Sequence, residues 1–101
     1  MRYLASVSYD GSKFYGFQKL NNHKTVQQCL EQAISKINKK SVGVKGAGRT
    51  DRGVHALGQG ISFDLDVNVP VDRLKKAINS LLDDAIYIQD IKEVDDNFHA
   101  R

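Results

Sequence analysis

The sequence predicts a single α+β domain in which two amphipathic helices cover one face of an antiparallel sheet. Two segments carry apolar residues at helical spacing, and four others have the alternation or composition of strands. The chain has 101 residues, of which 41% are hydrophobic and 27% are charged. A chain of this size buries one core between two layers. We therefore expect one domain over residues 1–101.

The first strand is predicted from Arg2 to Tyr9, where apolar residues alternate with others. Turn-forming residues follow at Asp10-Gly11-Ser12. The stretch from Lys13 to Lys24 has no clean period and mixes lysines with aromatic residues. We expect a loop or an irregular arm in this part of the chain.

Two helices are predicted from their start signals and apolar stripes. Thr25 begins the first helix, because Thr25 and Gln28 have the spacing of a capping box. Its apolar face consists of Val26, Cys29, Leu30, Ala33, Ile34 and Ile37. Pro70 suits the first turn of the second helix. The apolar stripe of that helix consists of Val71, Leu74, Ala77, Ile78, Leu81 and Leu82.

Three further strands complete the predicted sheet. Val42 and Val44 indicate a short second strand. The third is expected to start near Val54, and its alternating apolar residues are Ile61, Phe63 and Leu65. The fourth extends from Ala85 to Val94, with an irregularity around Asp90. The resulting order, β-α-β-β-α-β, is that of ferredoxin-like folds, with both helices on one face of the sheet.

Charge is distributed unevenly along the chain. Residues 1–60 contain ten Lys or Arg and three acids, a net charge of +7, whereas residues 61–101 contain five and nine, a net charge of −4. A basic half suggests a polyanionic partner such as RNA or DNA. The alternative is a solvated, lysine-rich face.

The composition excludes several classes of protein. A single cysteine excludes a disulfide framework and a zinc site built from a cysteine cluster. No apolar run approaches the roughly 20 residues of a membrane span. The first residues lack the apolar stretch of a signal peptide. We therefore expect a reducing, cytoplasmic setting and no membrane partner.

The candidate site lies between Gly46 and Gly60, a segment that contains five of the eight glycines. It does not have the spacing of a dinucleotide-binding loop or a P-loop. Asp51 and His55 form an isolated pair, so no metal site is expected. Asp51 stands between Arg49 and Arg52, whose charges would keep it ionised as a nucleophile or base while binding phosphate themselves. The alternative is a structural ion pair that braces a loop.

The segment Gly48-Arg49-Thr50-Asp51-Arg52-Gly53-Val54-His55-Ala56 resembles the signature of the TruA-type tRNA pseudouridine synthases. The family's other motifs are matched in order by Tyr9-Asp10-Gly11, Tyr15-Gly16-Phe17-Gln18, Thr25-Val26-Gln27, Ala77-Ile78-Asn79-Ser80-Leu81-Leu82 and Phe98-His99-Ala100-Arg101. Three residues depart from the usual pattern, namely Phe17, Arg52 and Asp83. None of them is the aspartate of the signature.

The resemblance implies isomerisation of uridine to pseudouridine in the anticodon stem-loop of tRNA, typically at positions 38, 39 and 40. It implies Asp51 as the catalytic residue, with no cofactor and no metal. Family enzymes have two domains and act as homodimers. On this basis we expect the chain to be the N-terminal domain of a longer enzyme, to lack the C-terminal domain, and to have little activity alone.

Further residues are candidates for RNA contact. Breaking a glycosidic bond builds positive charge on the ribose, which a carboxylate can stabilise or trap. Whether Asp51 attacks C1′, attacks the uracil ring or abstracts a proton stays open. Arg49 is a candidate for holding the space or the phosphate that a flipped nucleotide vacates. The other candidates for RNA contact are Thr50, Arg52, His55, Lys13, Gln18, Lys19 and Lys24.

Alternatives to these roles stay open. His55 has a structural alternative, and the lysine arm has the alternative of a flexible, solvated loop. A non-catalytic RNA-binding module of the same α+β shape is a second reading of the whole chain, although the RRM signature is not present. A third reading is a partner-binding domain whose charged loop only braces a turn.

Overall fold

The computed structural model describes residues 1–14, 24–46, 56–82 and 84–95. Four strands and two helices form in the predicted order. They are β1 (Arg2–Tyr9), α1 (Val26–Asn38), β2 (Val44–Gly46), β3 (Ala56–Asp64), α2 (Val71–Leu81) and β4 (Ile86–Val94), with a short 3-10 turn at Gly11–Lys13. The strand order across the sheet is β2-β3-β1-β4, and the three pairings are antiparallel. The predicted α+β class and element order are therefore confirmed.

The hydrophobic core fills the space between the sheet and the two helices. Every second residue of β1 is buried, because successive side chains of a strand point to opposite faces. The ring of Tyr3 stacks on that of Phe63 with 5.7 Å between centroids. Helix residues complete the core, including Leu30 and Ile34 from α1 and Leu74 and Ile78 from α2. These burials confirm both predicted apolar stripes at their centres.

The predicted starts of both helices agree with the structure to within one residue. Thr25 caps α1, and its side-chain oxygen accepts a hydrogen bond from the Gln28 N–H at 3.3 Å. Pro70 occupies the cap position of α2 and not its first turn, and it makes no side-chain cap hydrogen bond. Lys39 ends α1 in the left-handed region at φ 61°, where its N–H reaches the Ser35 carbonyl.

Strand boundaries differ from the prediction at three places, one of which is β4, which starts at Ile86 and not at Ala85. Val42 precedes β2 because its N–H donates to the Ser35 side-chain oxygen at 2.9 Å. The third strand ends at Asp64, one residue before Leu65, and Val54 lies outside the described residues. The expected irregularity near Asp90 is confirmed by a register shift, since Ser6 pairs with Asp90 and Val7 with Ile88. Cys29 lies on the apolar face of α1 but is only half-buried.

Candidate nucleic-acid interface

One end of the sheet contains the start or end of three strands. Tyr9, the last residue of β1, pairs with Ala56 at the start of β3 and with Ile86 at the start of β4. One step further, the Asp10 N–H donates to the Ala85 carbonyl at 2.9 Å. We call the end defined by Tyr9, Ala56 and Ile86 the site end, because the candidate segment enters β3 there.

The candidate segment itself joins two strands whose positions are known. Gly46, the last residue of β2, pairs with Ile61, whereas Ala56 lies five residues nearer the site end on the same strand. Residues 47–55 connect these two points and lie outside the described residues. The same holds for seven predicted site residues: Gln18, Lys19, Arg49, Thr50, Asp51, Arg52 and His55.

A compact turn leads away from the site end. The Asp10 carboxylate accepts hydrogen bonds from the Ser12 N–H at 3.0 Å and the Ser12 hydroxyl at 2.6 Å. These bonds start the 3-10 turn, which closes where the Phe14 N–H donates to the Gly11 carbonyl. An aspartate that satisfies nearby backbone groups is typical of such turns. The Tyr9-Asp10-Gly11 motif thus fixes the direction in which the arm leaves β1.

Two of the predicted RNA-contact lysines lie beside this turn. Lys13 and Lys24 are both exposed, and Phe14 between them in space is buried. The Lys24 ammonium lies 5.4 Å from the centroid of the Phe14 ring, a cation–π contact. Lys13 belongs to the turn itself and Lys24 contacts the Phe14 ring that follows it, so both lysines lie near the site end.

A strong ion pair lies at the opposite end of β1. The Arg2 guanidinium donates to both carboxylate oxygens of Asp64, at 2.8 and 3.1 Å. Hydrogen bonding and the charge of Arg2 hold the pKa of the Asp64 carboxyl below its usual value. Arg2 begins β1 and Tyr9 ends it, about 23 Å away at the rise of a strand. This pair braces the sheet and is separate from the site end.

Two further properties of the described residues concern metal binding and membrane insertion. In ranges 1–14, 24–46, 56–82 and 84–95, no group of three or more His, Cys, Asp or Glu side chains could hold a metal ion. Neither helix of that part of the chain is long and apolar enough to cross a membrane.

Sequence reasoning missed a set of helix side chains that bind the backbone of strands and of the residues next to them. On α1 these are Gln27, Glu31, Ser35 and Asn38, and on α2 the residue is Asn79. The α1 residues are spaced by four, four and three, so they form a polar stripe beside the apolar face. The sequence shows this spacing. It does not show which backbone groups the stripe binds, because the tertiary fold places those groups beside α1.

The structure defines an α+β domain of ferredoxin-like strand order with a charged, glycine-rich segment entering the sheet at the site end. A family model described as tRNA pseudouridine synthase matches residues 5–101. The chain therefore belongs to the tRNA pseudouridine synthase family, as the motif resemblance predicts.

Relatives show how much of a family protein the chain covers. It is 44% identical over 101 residues to the tRNA pseudouridine synthase A of Staphylococcus aureus (strain MRSA252), which is 100% of this chain and 38% of that protein. It is 48% identical over 98 residues to the tRNA pseudouridine synthase A of Borrelia turicatae (strain 91E135), which is 97% of this chain and 40% of that protein. The chain thus spans about two-fifths of the length of these relatives.

Proposed function

We propose that this chain carries the catalytic aspartate, Asp51, of an enzyme that isomerises uridine to pseudouridine in tRNA. The observation that carries the proposal is the family match over residues 5–101, which includes the complete Gly48–Ala56 motif. We further propose the anticodon stem-loop as the target, with positions 38, 39 and 40 as the modified uridines.

The proposed reaction balances without a second substrate. The N1–C1′ glycosidic bond breaks, the uracil turns, and a C5–C1′ bond forms. The proton on C5 leaves, and N1 ends with a proton. Because no atom is gained or lost and no electron is transferred overall, the proposal includes no cofactor and no metal.

Asp51 has a physical rationale for this chemistry. Cleavage of a glycosidic bond builds oxocarbenium-like charge on the ribose, and an ionised carboxylate beside it lowers that cost or traps the intermediate. The adjacent Arg49 and Arg52 favour the ionised form of the aspartate. A uridine stacked in a stem must be extruded before the aspartate can reach it. We propose that Arg49 occupies the place that the flipped nucleotide leaves.

The site end supplies a surface for the RNA backbone. Lys13 and Lys24 are exposed there, within a half of the chain that carries a net charge of +7. Ammonium groups on such a surface bind phosphates and release counterions. We propose that these lysines track the backbone of the stem-loop, together with Gln18, Lys19, Thr50, Arg52 and His55.

The proposal also concerns the whole protein. Since the chain spans about two-fifths of its relatives, we propose that activity requires a second domain beyond these residues. We further propose a homodimer in the cytoplasm as the working form. The chain of 101 residues is then expected to show little or no isomerisation when it is assayed by itself.

The test is Asp51→Ala in the full-length protein, with tRNA labelled by tritium at C5 of its uridines. Tritium is released only if the C5 bond to hydrogen breaks, so the assay follows the isomerisation directly. We expect no release above background from Asp51→Ala, with tRNA affinity within a few-fold of the unsubstituted protein.

Asp72→Asn is the matched control, because Asp72 is an exposed carboxylate in the first turn of α2 and does not belong to the site end. It should release tritium at the normal rate. Normal release by Asp51→Ala would remove the catalytic role of Asp51. Binding without release by the unsubstituted protein would favour the non-catalytic RNA-binding module.

A further inference from the structure

Both outer strands of the sheet have an edge that faces no other strand in the described part of the chain. The outer strands are β2 and β4. Unpaired N–H and C=O groups along such an edge form a template for an added strand, and proteins often block it. The backbone groups that face outward therefore show whether this domain accepts strand addition.

The edge of β4 is occupied by the side chain of Asn79 from α2. The Asn79 amide nitrogen donates to the Ile88 carbonyl at 3.1 Å, and its oxygen accepts from the Ile88 N–H at 2.8 Å. One side chain thus makes the two hydrogen bonds that a neighbouring strand would make. Tyr87, the residue before Ile88 in β4, also contacts α2, because the Lys75 ammonium lies 5.7 Å from the centroid of its ring. Helix α2 thus contacts this edge at two neighbouring residues.

The edge of β2 is occupied in the same way by two side chains of α1. The Gln27 amide nitrogen donates to the Val44 carbonyl at 2.8 Å, and the Glu31 carboxylate accepts from the Val44 N–H at 3.0 Å. The Gln27 amide also donates to the Glu31 carboxylate at 3.3 Å. Ser35, one turn further along α1, accepts the N–H of Val42 just before the strand.

We propose that Asn79 on one edge, and Gln27 with Glu31 on the other, close the sheet against strand addition by a second copy of this chain. An incoming strand would have to break two hydrogen bonds at each cap. At the edge of β2, one of these bonds is accepted by the Glu31 carboxylate. The two caps are built in the same way. Each helix covers one face of the sheet, and its side chains also bind the outer edge of a strand, β2 for α1 and β4 for α2.

The inference stands apart from the proposed function, since neither cap belongs to the site end. It does assign a use to Gln27 and Asn79, which lie in two of the family-like motifs but have no part in the proposed chemistry. It also narrows the surfaces by which the domain contacts partners. The middle of each edge is closed to strand addition.

The experiment is amide hydrogen exchange, read residue by residue by NMR, on the 101-residue chain and two variants of it. In Asn79→Ala, the Ile88 amide should exchange about tenfold faster while the Val44 amide is unchanged. In Glu31→Ala, the reverse should hold. Ser80→Ala is the control, because its hydroxyl bonds only within α2, to the Ala77 carbonyl, and should change neither amide.

Self-association is measured on the same samples by light scattering. The apparent mass of Asn79→Ala should rise with concentration more steeply than that of the unsubstituted chain. Where Asn79→Ala does not fold, Asn79→Asp replaces it, since the carboxylate still accepts from the Ile88 N–H but cannot donate to its carbonyl. The Ile88 amide should then stay protected while self-association still rises. An Ile88 amide whose exchange is unchanged in Asn79→Ala, a Val44 amide whose exchange is unchanged in Glu31→Ala, or Asn79 variants whose apparent mass does not change would overturn the proposal.

Discussion

Single polar side chains hydrogen-bond the backbone at the ends of helices and at the edges of strands in this domain. Thr25 accepts the Gln28 N–H at the start of α1, and Asn38 near its end accepts the Asp66 N–H at 2.8 Å. Both residues are buried, so their hydrogen bonds offset the cost of taking polar groups out of water. At this scale, one local hydrogen bond fixes the start of α1, and one between distant parts of the chain ties its end to the segment after β3.

The Arg2–Asp64 ion pair makes stability depend on pH. The folded pKa of Asp64 is lowered, so the pair stabilises the fold at pH above the ordinary carboxyl value and stops doing so as pH falls through the lowered folded value. The side chain of Asp64 is 58% exposed and screened by water. We therefore expect Asp64→Asn to cost less than about 1 kcal/mol at neutral pH.

Urea unfolding of the unsubstituted chain and Asp64→Asn between about pH 7 and about pH 3 checks this expectation. The difference in unfolding free energy should shrink toward the acid end. Ser80→Ala, which removes no ionisable group, should show no such trend. A difference for Asp64→Asn that stays constant with pH would contradict the assigned cause.

At the scale of elements, the periodicity of apolar residues predicts both helices, whereas the periodic polar residues of α1 do not by themselves predict what they bind. The stripes of α1 and α2 predicted both helices, because burial of one face is what holds a helix in a small domain. The short β2 was harder to place. Val42 looks like a strand residue, but its N–H is bound by Ser35, and only the folded position of α1 reveals that.

The cap of α1 gives a prediction about stability at this scale. Thr25→Ala removes the acceptor for the Gln28 N–H and should lower the unfolding free energy by about 1 kcal/mol. Thermal and urea unfolding measure the change. Gln32→Ala, on the exposed face of the same helix, keeps the cap and should be within about 0.5 kcal/mol of the unsubstituted chain. Equal losses in the two variants would show that the cap contributes nothing specific.

For the molecule as a whole, the fold and the site were predictable to different extents. The strand order follows from alternating patterns and short connections, and the structure agrees with it. The site was predicted from the Gly48–Ala56 motif, because the placement of a charged loop is not encoded by apolar periodicity. The structure shows in addition that three features lie at one end of the sheet. They are the turn at Asp10, the lysines at both ends of the arm and the start of β3.

Charge at the site end leads to a prediction about RNA binding by the full-length protein. Lys13→Ala should weaken binding to a tRNA anticodon stem-loop and reduce the slope of log affinity against log salt by roughly 0.7–0.9, the amount expected for one lost phosphate contact. Binding titrations at several salt concentrations measure the slope. Lys76→Ala, an exposed lysine of α2, should leave the slope unchanged. An unchanged slope for Lys13→Ala would remove the arm from the RNA interface.

We propose that Asp51 of this chain serves isomerisation of uridine in the tRNA anticodon stem-loop. The most direct test of this claim is a map of pseudouridine in tRNA from cells that lack the gene, with the full-length protein or its Asp51→Ala variant supplied again. We expect pseudouridine at positions 38, 39 and 40 to disappear with the gene, to return with the unsubstituted protein, and to stay absent with Asp51→Ala. Pseudouridine that persists without the gene, or returns with Asp51→Ala, would contradict the claim.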